Sequence, residues 1–356
     1  MNLETGPVRV LIVDDSSLVR TALMKQLNAC EGIEVVGAAP DPFAARDMIH
    51  RVSPDALVLD IEMPRMDGLT FLRKLMRFAP LPTVICSSLT PKGCDLALAC
   101  LDAGAVEVFC KPGAAYAIGD LSADLARVLR SVRHVRLDRR KPPAEPARIQ
   151  SSHALMDSTR KVVALGTSTG GTEALRVVLG SLPPTSPGIV VVQHMPAQFT
   201  KSLAERLDSL SAVEVREASE GDTVVNGRVL LAPGGRHVEL RRDGARYYVT
   251  LSDAPKVCQH RPSADVLFRS FAEYGGSNAM GAIMTGMGND GAEALGLIRA
   301  EGGFTIAQDE KTCVVFGMPK EAIRMDSVDE IRPLDEIAQR IVDFGASKHR
   351  ARKKAG

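Results

Sequence analysis

What this 356-residue sequence lacks excludes several classes of protein before any motif is read. No apolar run reaches the roughly 18–20 residues that a membrane-spanning helix needs. The opening residues, Met-Asn-Leu-Glu-Thr-Gly-Pro, carry neither the basic start nor the apolar core of a secretory signal, so a cytoplasmic protein is expected. Charge of one sign is not in excess. The sequence has 44 Lys and Arg against 43 Asp and Glu, a formal net charge of +1, which gives no overall pull toward nucleic acid. Seven cysteines are scattered without a Cys-x-x-Cys pair, which argues against a zinc site or a disulfide framework and for reduced thiols. A helix-turn-helix pattern is also missing, so only a basic linker and tail speak for DNA binding.

The length suits two domains, each able to bury its own core. Between Val8 and Leu129, short apolar strands alternate with amphipathic helices. Strands are expected at 8–13, 34–38, 56–59, 83–86 and 106–109, and helices near 17–28, 42–52, 68–78, 93–103 and 115–130. Five βα units in series predict a parallel five-stranded (βα)5 sheet with helices on both faces. The pattern stops after residue 130. Residues 130–160 hold eight Lys or Arg against three Asp or Glu and include Lys141-Pro-Pro-Ala-Glu-Pro146, a linker composition. A second α/β domain begins at Lys161, with strands expected at 162–165, 189–193, 228–232 and 280–285. Its helices are expected near 172–182, 199–210, 263–274 and 291–300, and Asp243-Gly244 marks an antiparallel hairpin within 237–251. The division is therefore 1–130, a linker at 131–160, a second domain at 161–345, and a basic disordered tail at 346–356. That tail could speed approach to an acidic partner.

Carboxylates fall at strand ends in the first domain: Asp14 and Asp15 after the first strand and Asp60 after the third. In an open parallel sheet these ends share one crevice. Three acids together repel unless a hard cation joins them, and Mg²⁺ fits such an oxygen donor set. Ser87 closes the fourth strand with a hydroxyl, and Lys111 closes the fifth with a cation. A phosphoryl group on Asp60 would meet Mg²⁺, Lys111 and the Ser87 hydroxyl.

The second domain offers a different chemistry. In Val163-Ala-Leu-Gly-Thr-Ser-Thr-Gly-Gly-Thr172 an apolar strand ends on a glycine-flanked turn that presents Ser168 ahead of a helix. Small neighbours and helix N-terminal N–H groups suit a nucleophile whose ester adduct carries an oxyanion. A serine hydroxyl needs an adjacent base, usually a histidine oriented by an acid. His194 ends the strand Ile189–Gln193 at the same sheet edge and is the favoured base; His237 and His260 are less constrained. Asp290, in the glycine-rich turn Met284–Ala292, is the acid if it faces His194 Nδ1, but it also reads as an ordinary helix cap. Asp222, Asp253 and Asp265 compete for the role.

Two sets of motifs resemble known families. Val10-Leu-Ile-Val-Asp-Asp-Ser16, Asp60-Ile-Glu-Met-Pro-Arg-Met-Asp-Gly68 and Lys111-Pro112 resemble the response-regulator receiver family, which has a flavodoxin-like sheet. That resemblance implies phosphorylation at Asp60, Mg²⁺ at Asp14, Asp15 and Asp60, a switch through Ser87 and Lys111, and a cis peptide before Pro112. Gly166-Thr-Ser-Thr-Gly-Gly171, Val192-Gln-His-Met-Pro196, Ala232–His237, Arg261–Phe268, Thr285–Gly291 and Gln308–Lys320 resemble the chemotaxis protein-glutamate methylesterases, the CheB family. The implied fold is a receiver, a linker, and a doubly wound α/β methylesterase domain with a mostly parallel sheet and a β-hairpin. The implied roles are Ser168 as nucleophile, His194 as base, Asp290 as orienting acid, Met287 N–H as oxyanion donor and Thr169 as an assisting residue. The implied substrates are methyl esters on glutamates of methyl-accepting chemoreceptors, with deamidation of receptor glutamines as a second activity. A sensor histidine kinase would supply the phosphoryl group, and ester hydrolysis itself would need no cofactor. Departures from the family pattern occur at Thr167, where alanine is expected, at Asn289 and at Gln259. A rival reading keeps the response regulator and makes the second domain a non-catalytic binding module.

Overall fold

The computed structural model describes residues 6–87, 90–111, 118–132, 149 and 161–346. The peptide before Pro112, nearly all of the linker, and the tail beyond Ala346 lie outside the described residues, as do His134, His153 and His349. The chain divides into two compact units, Met1–Pro143 and Ala144–Gly356.

The first unit alternates strand and helix as the apolar pattern predicts. Its strands are β1 (Val8–Val13), β2 (Ile33–Ala39), β3 (Ala56–Asp60), β4 (Thr83–Ser87) and β5 (Glu107–Cys110). Its helices are α1 (Ser17–Asn28), α2 (Pro42–Val52), α3 (Gly68–Phe78), α4 (Pro91–Asp102) and α5 (Ile118–Ser131). The strands lie in the order β2-β1-β3-β4-β5, all parallel. This is the flavodoxin-like order, in which the chain reverses direction across the sheet between β1 and β3. Because helices cover both faces, β3 and β4 are buried along their whole length, with apolar centres that end on Asp60 and Ser87. Helix starts are set by side chains. Asp41 accepts from Phe43 N and Ala44 N at the head of α2, and Asp67 accepts from Thr70 N at the head of α3.

The second unit is built on a seven-stranded sheet. Its elements in chain order are β6 (Val162–Thr167), α6 (Gly171–Ser181), β7 (Gly188–Gln193), α7 (Ala197–Leu210), β8 (Glu214–Glu217) and β9 (Arg228–Leu231). There follow β10 (His237–Asp243), β11 (Arg246–Ser252), α8 (Ala264–Gly275), β12 (Ala279–Ile283), α9 (Ala292–Ala300), β13 (Phe304–Gln308), α10 (Met318–Arg324), β14 (Glu330–Arg332) and α11 (Leu334–Ala346). The order β14-β13-β12-β6-β7-β9-β8 is parallel at every pairing. The hairpin predicted from Asp243-Gly244 forms as β10–β11, but it stands apart from the large sheet as a two-stranded ribbon. Val238, Leu240 and Val249 of the ribbon share one core with Leu267, Phe268 and Phe271 of α8. Phe268 and Phe271 are fully buried, so truncating either to alanine removes about 3–5 kcal/mol of stability.

Strand β6 lies mid-sheet. The chain leaves it toward β7 on one side and returns on the other at β12. That reversal opens a crevice at the carboxyl ends of β7, β6 and β12, the usual place for a ligand in a doubly wound sheet. Strands β8, β13 and β14 and helices α10 and α11 were not among the elements expected from the sequence.

Candidate active site and phosphoacceptor site

Residues Thr167 of β6 and Gln193 of β7 are partners in register. Ser168 and His194 are therefore the first residues beyond two adjacent strand ends. The pairing extends one step further, with His194 N donating to Thr167 O at 3.1 Å. Both Ser168 and His194 are nearly buried, at 7% and 9% exposure, so a reacting group there meets protein on most sides.

His194 Nε2–H donates to Asp290 Oδ2 at 2.7 Å. The carboxylate therefore sits at Nε2 and not at the expected Nδ1. Asp290 lies seven residues past the end of β12, in the turn that reaches the start of α8, and it meets the ring nitrogen farther from the backbone. Nδ1 is left buried with no hydrogen-bond partner among the described residues. With the Nε2 proton committed to the carboxylate, Nδ1 carries the lone pair, as a base must.

The helix-cap reading of Asp290 is also corrected. Gly291 is the N-cap of α9, and no side chain caps that helix. Asp290 instead serves the start of α8, accepting from Ala264 N at 2.7 Å, Asp265 N at 3.2 Å and the Ser263 hydroxyl at 2.6 Å. Burial pushes this carboxyl up, but the bonds from His194, Ser263 and Ala264 outweigh it and hold Asp290 below the usual carboxylate range. The positive end of α8 acts in the same direction. The rival acids are engaged elsewhere: Asp222 with Arg216, Asp253 with Arg236, and Asp265 with Ala294 N. Burial and the charge of Asp290 together raise Asp265.

Of the other histidines, His260 stacks flat on His194 with ring centroids 3.7 Å apart and planes 5° from parallel. His237 is buried and its Nε2–H donates to Pro255 O at 3.0 Å. The Cys258 thiol beside this region is pushed up to about 11 by burial and then by Asp290 and Asp265, and it donates to Asp265 Oδ2.

Across the crevice, the turn after β12 presses against the serine. A Cβ on Gly286 would lie 2.7 Å from Ser168 Cβ, so only glycine allows this approach. The next residue is Met287, whose N–H has no acceptor among the described residues. Thr285 pins the turn. Its hydroxyl donates to Thr169 O at 2.9 Å and accepts from Val314 N and Val315 N, while its own N–H donates to Gln308 Oε1. Thr169 is buried, at the turn into α6. Sequence reasoning missed Ser263, Gln193 and Thr285 because each acts through contacts between distant segments. Their only signal was membership of the quoted motifs.

In the first unit the expected cluster assembles. Carboxylate oxygens of Asp14, Asp15 and Asp60 lie within 4.8 Å of one another. Lys111 Nζ bridges Asp14 Oδ2 at 2.8 Å and Asp60 Oδ2 at 2.7 Å. Burial raises Asp60 to about 6, Lys111 opposes that rise, and Asp14 adds to it. Ser87 ends β4, and its hydroxyl donates to Gly93 O at 3.2 Å. An all-oxygen donor set with surplus negative charge fits a hard divalent cation.

Together, fold and site define an α/β protein with a receiver-type module and a second domain that sets Ser168 and a buried His194–Asp290 pair at neighbouring strand ends. Residues 163–341 match the CheB methylesterase family, and residues 10–120 match the response regulator receiver domain. The protein-glutamate methylesterase/protein-glutamine glutaminase 4 of Anaeromyxobacter dehalogenans is 52% identical over 339 residues, covering 95% of both chains. The corresponding protein of Pectobacterium atrosepticum is 50% identical over 337 residues, 94% of this chain and 96% of its own. The crystal structure of the Thermotoga maritima CheB methylesterase catalytic domain covers 52% of this chain and 98% of that one, at 40% identity and a TM-score of 0.51. This chain belongs to the CheB methylesterase family, with a receiver domain ahead of its catalytic domain. Among the described residues no helix is long and apolar enough to cross a membrane.

Proposed function

We propose that this protein is a phosphorylation-activated methylesterase that removes methyl esters from glutamates of methyl-accepting chemoreceptors, and that it also deamidates receptor glutamines. The observation that carries the reading is the buried His194–Asp290 pair, with Nδ1 unengaged, at the strand end next to Ser168. His194 Nδ1 takes the Ser168 hydroxyl proton as Oγ attacks the ester carbon. Met287 N–H and the first-turn N–H groups of α6 beyond that of Gly171, which is held by Ser168 O, receive the oxyanion, and Thr169 helps shape that turn. Collapse of the tetrahedral adduct expels methoxide, which takes the proton from His194 and leaves as methanol. Water, deprotonated by the same nitrogen, then cleaves the acyl-serine and frees the glutamate. With a glutamine substrate the leaving group is ammonia. Asp290 keeps Nε2 protonated and stabilises the imidazolium formed in each half-reaction.

Asp60 is the phosphoacceptor, and Asp14, Asp15 and Asp60 would hold Mg²⁺ beside it. When bound, that cation offsets the charge of the carboxylates and of the incoming phosphoryl group. Lys111 would pair with the phosphoryl oxygens, and Ser87 would turn its hydroxyl toward them, the local charge change on which such switches run. The phosphodonor is a sensor histidine kinase, and the protein works in the cytoplasm without entering the membrane or binding nucleic acid. The test is methanol release from methylated receptor, with and without phosphodonor. Ser168→Ala lowers the rate by about 10⁴-fold or more while Asp60 still accepts phosphate. Undiminished release from that variant removes the proposed nucleophile.

A further inference from the structure

Ser168 and His194 both lie just beyond the paired part of the sheet, where the two chains separate into different turns. One buried amide spans the gap. Gln193 Nε2 donates to Ser168 O at 3.0 Å and to His194 O at 3.1 Å, so both of its N–H groups are used on the backbones of the two reacting residues. Its Oε1 accepts from the Thr167 hydroxyl at 2.5 Å. Gln193 and Thr167 have no exposed surface. The amide has one sensible orientation, because the reverse would set its oxygen against two carbonyl oxygens. Ser168 O also accepts from Gly171 N at 2.7 Å, which closes the turn into α6. Gly171 leaves the room this needs, since a Cβ there would sit 2.0 Å from Gln193 Oε1 and 2.7 Å from Thr167 Cβ.

From this geometry we propose that Gln193, oriented by the Thr167 hydroxyl, is a positioning residue that sets the placement of the nucleophile relative to its base. The proposal rests on the reading of Ser168 and His194 as reacting groups. Gln193 touches no substrate in this scheme. It fixes the carbonyls of Ser168 and His194, and through them the directions in which Oγ and the imidazole project. A displacement of about 1 Å between reacting groups is enough to cost on the order of 10²-fold in rate. Its loss therefore lowers turnover and leaves substrate affinity alone.

The experiment measures kcat and KM for methanol release by the phosphorylated full-length protein, with kcat expressed per active site titrated by a fluorophosphonate. That normalisation removes any loss due to misfolded protein. Gln193→Met should reduce kcat by about 10²-fold with KM within twofold. Thr167→Val, which keeps the shape and removes the hydroxyl, should reduce kcat by roughly 3- to 10-fold, and Thr167→Ser should restore it. Full kcat per site in Gln193→Met overturns the proposal, as does equal activity of Thr167→Val and Thr167→Ser. If Gln193→Met does not fold, the two Thr167 variants decide alone. Ser168→Ala separates the two levels of inference: an active Ser168→Ala removes the underlying reading. An inactive Ser168→Ala beside a fully active Gln193→Met removes only the positioning role.

Discussion

Each unit places carboxylates at the carboxyl ends of parallel strands, yet the outcomes are opposite. In the receiver, Asp60 is buried beside Asp14, receives one long backbone bond from Glu62 N, and is raised to about 6. In the catalytic unit Asp290 is at least as enclosed, yet it is held below its ordinary value. Burial opposes charge at both sites, so burial does not make the difference. What differs is the supply of donors: Asp290 has a hydroxyl, two helix N-terminal N–H groups and an imidazole, all converging on two oxygens. Asp60 shares a single lysine with a second acid. A carboxylate whose charge is already satisfied can act as a fixed electrostatic partner. One left short of donors is ready to take up a cation and to gain by reacting.

The most severe way to break this contrast is Asp290→Asn, which removes the charge opposite His194. Turnover per titrated site should fall by about 10³- to 10⁴-fold, and a drop of less than tenfold would mean the imidazolium needs no counter-charge. In the receiver, Asp15→Ala should weaken Mg²⁺ binding by about 10-fold or more, read as the magnesium concentration that half-saturates phosphorylation of Asp60. An unchanged half-saturation point would take Asp15 out of the cation site.

Asp60→Asn tests the raised acid through stability. Folded Asp60 keeps its proton up to about pH 6, whereas an unfolded aspartate releases it near 4. The folded state thus binds more protons between those values, so this group's contribution to stability falls as pH rises through that window and stays low above it. Removing the charge should stabilise the receiver unit at pH 7, without magnesium, by about 1–2 kcal/mol. The gain should vanish below about pH 4 in denaturant titrations. A gain that persists unchanged in acid would assign the effect to something other than ionisation. The smallest effect is expected from Ser263→Ala, which deletes one of several donors to Asp290. It should cost about 1 kcal/mol of stability near neutral pH and reduce kcat roughly threefold. Asp290 is depressed when folded, so the stability it contributes is present above the ordinary aspartate value and is lost as pH falls through its lower folded value. Weakening a donor should move that acid limb upward in pH. A limb that stays in place would mean the remaining donors fully compensate.

Much of this arrangement was legible in the sequence because strand ends are. An apolar run that stops at Asp14, Asp60, Ser168 or His194 announces both a strand and the edge where its next side chain will stand. The parallel order follows from alternation of strand and helix. Less legible were β8, whose Glu-Val-Arg-Glu pattern has a single buried apolar residue, and β14, only three residues long. Such edge strands are specified by the neighbour they pair with more than by their own composition. The choice of histidine nitrogen was missed for a related reason. It depends on where the turn after β12 carries Asp290 relative to His194, and local sequence carries no record of that contact. Ser263 and Gln193 escaped because their partners lie more than twenty residues away.

The central position of β6 has a consequence for synthesis. As the chain emerges, β6, β7, β8 and β9 come out first, and these four strands are neighbours on one side of the finished sheet. Ser168 and His194 are therefore present on a ribbon that could pair before Asp290 has been translated. Only when β12 docks against the exposed flank of β6 does the histidine acquire its acid. A nascent or truncated chain thus carries the serine and the imidazole without the carboxylate, which arrives only with about the last fifth of the polypeptide.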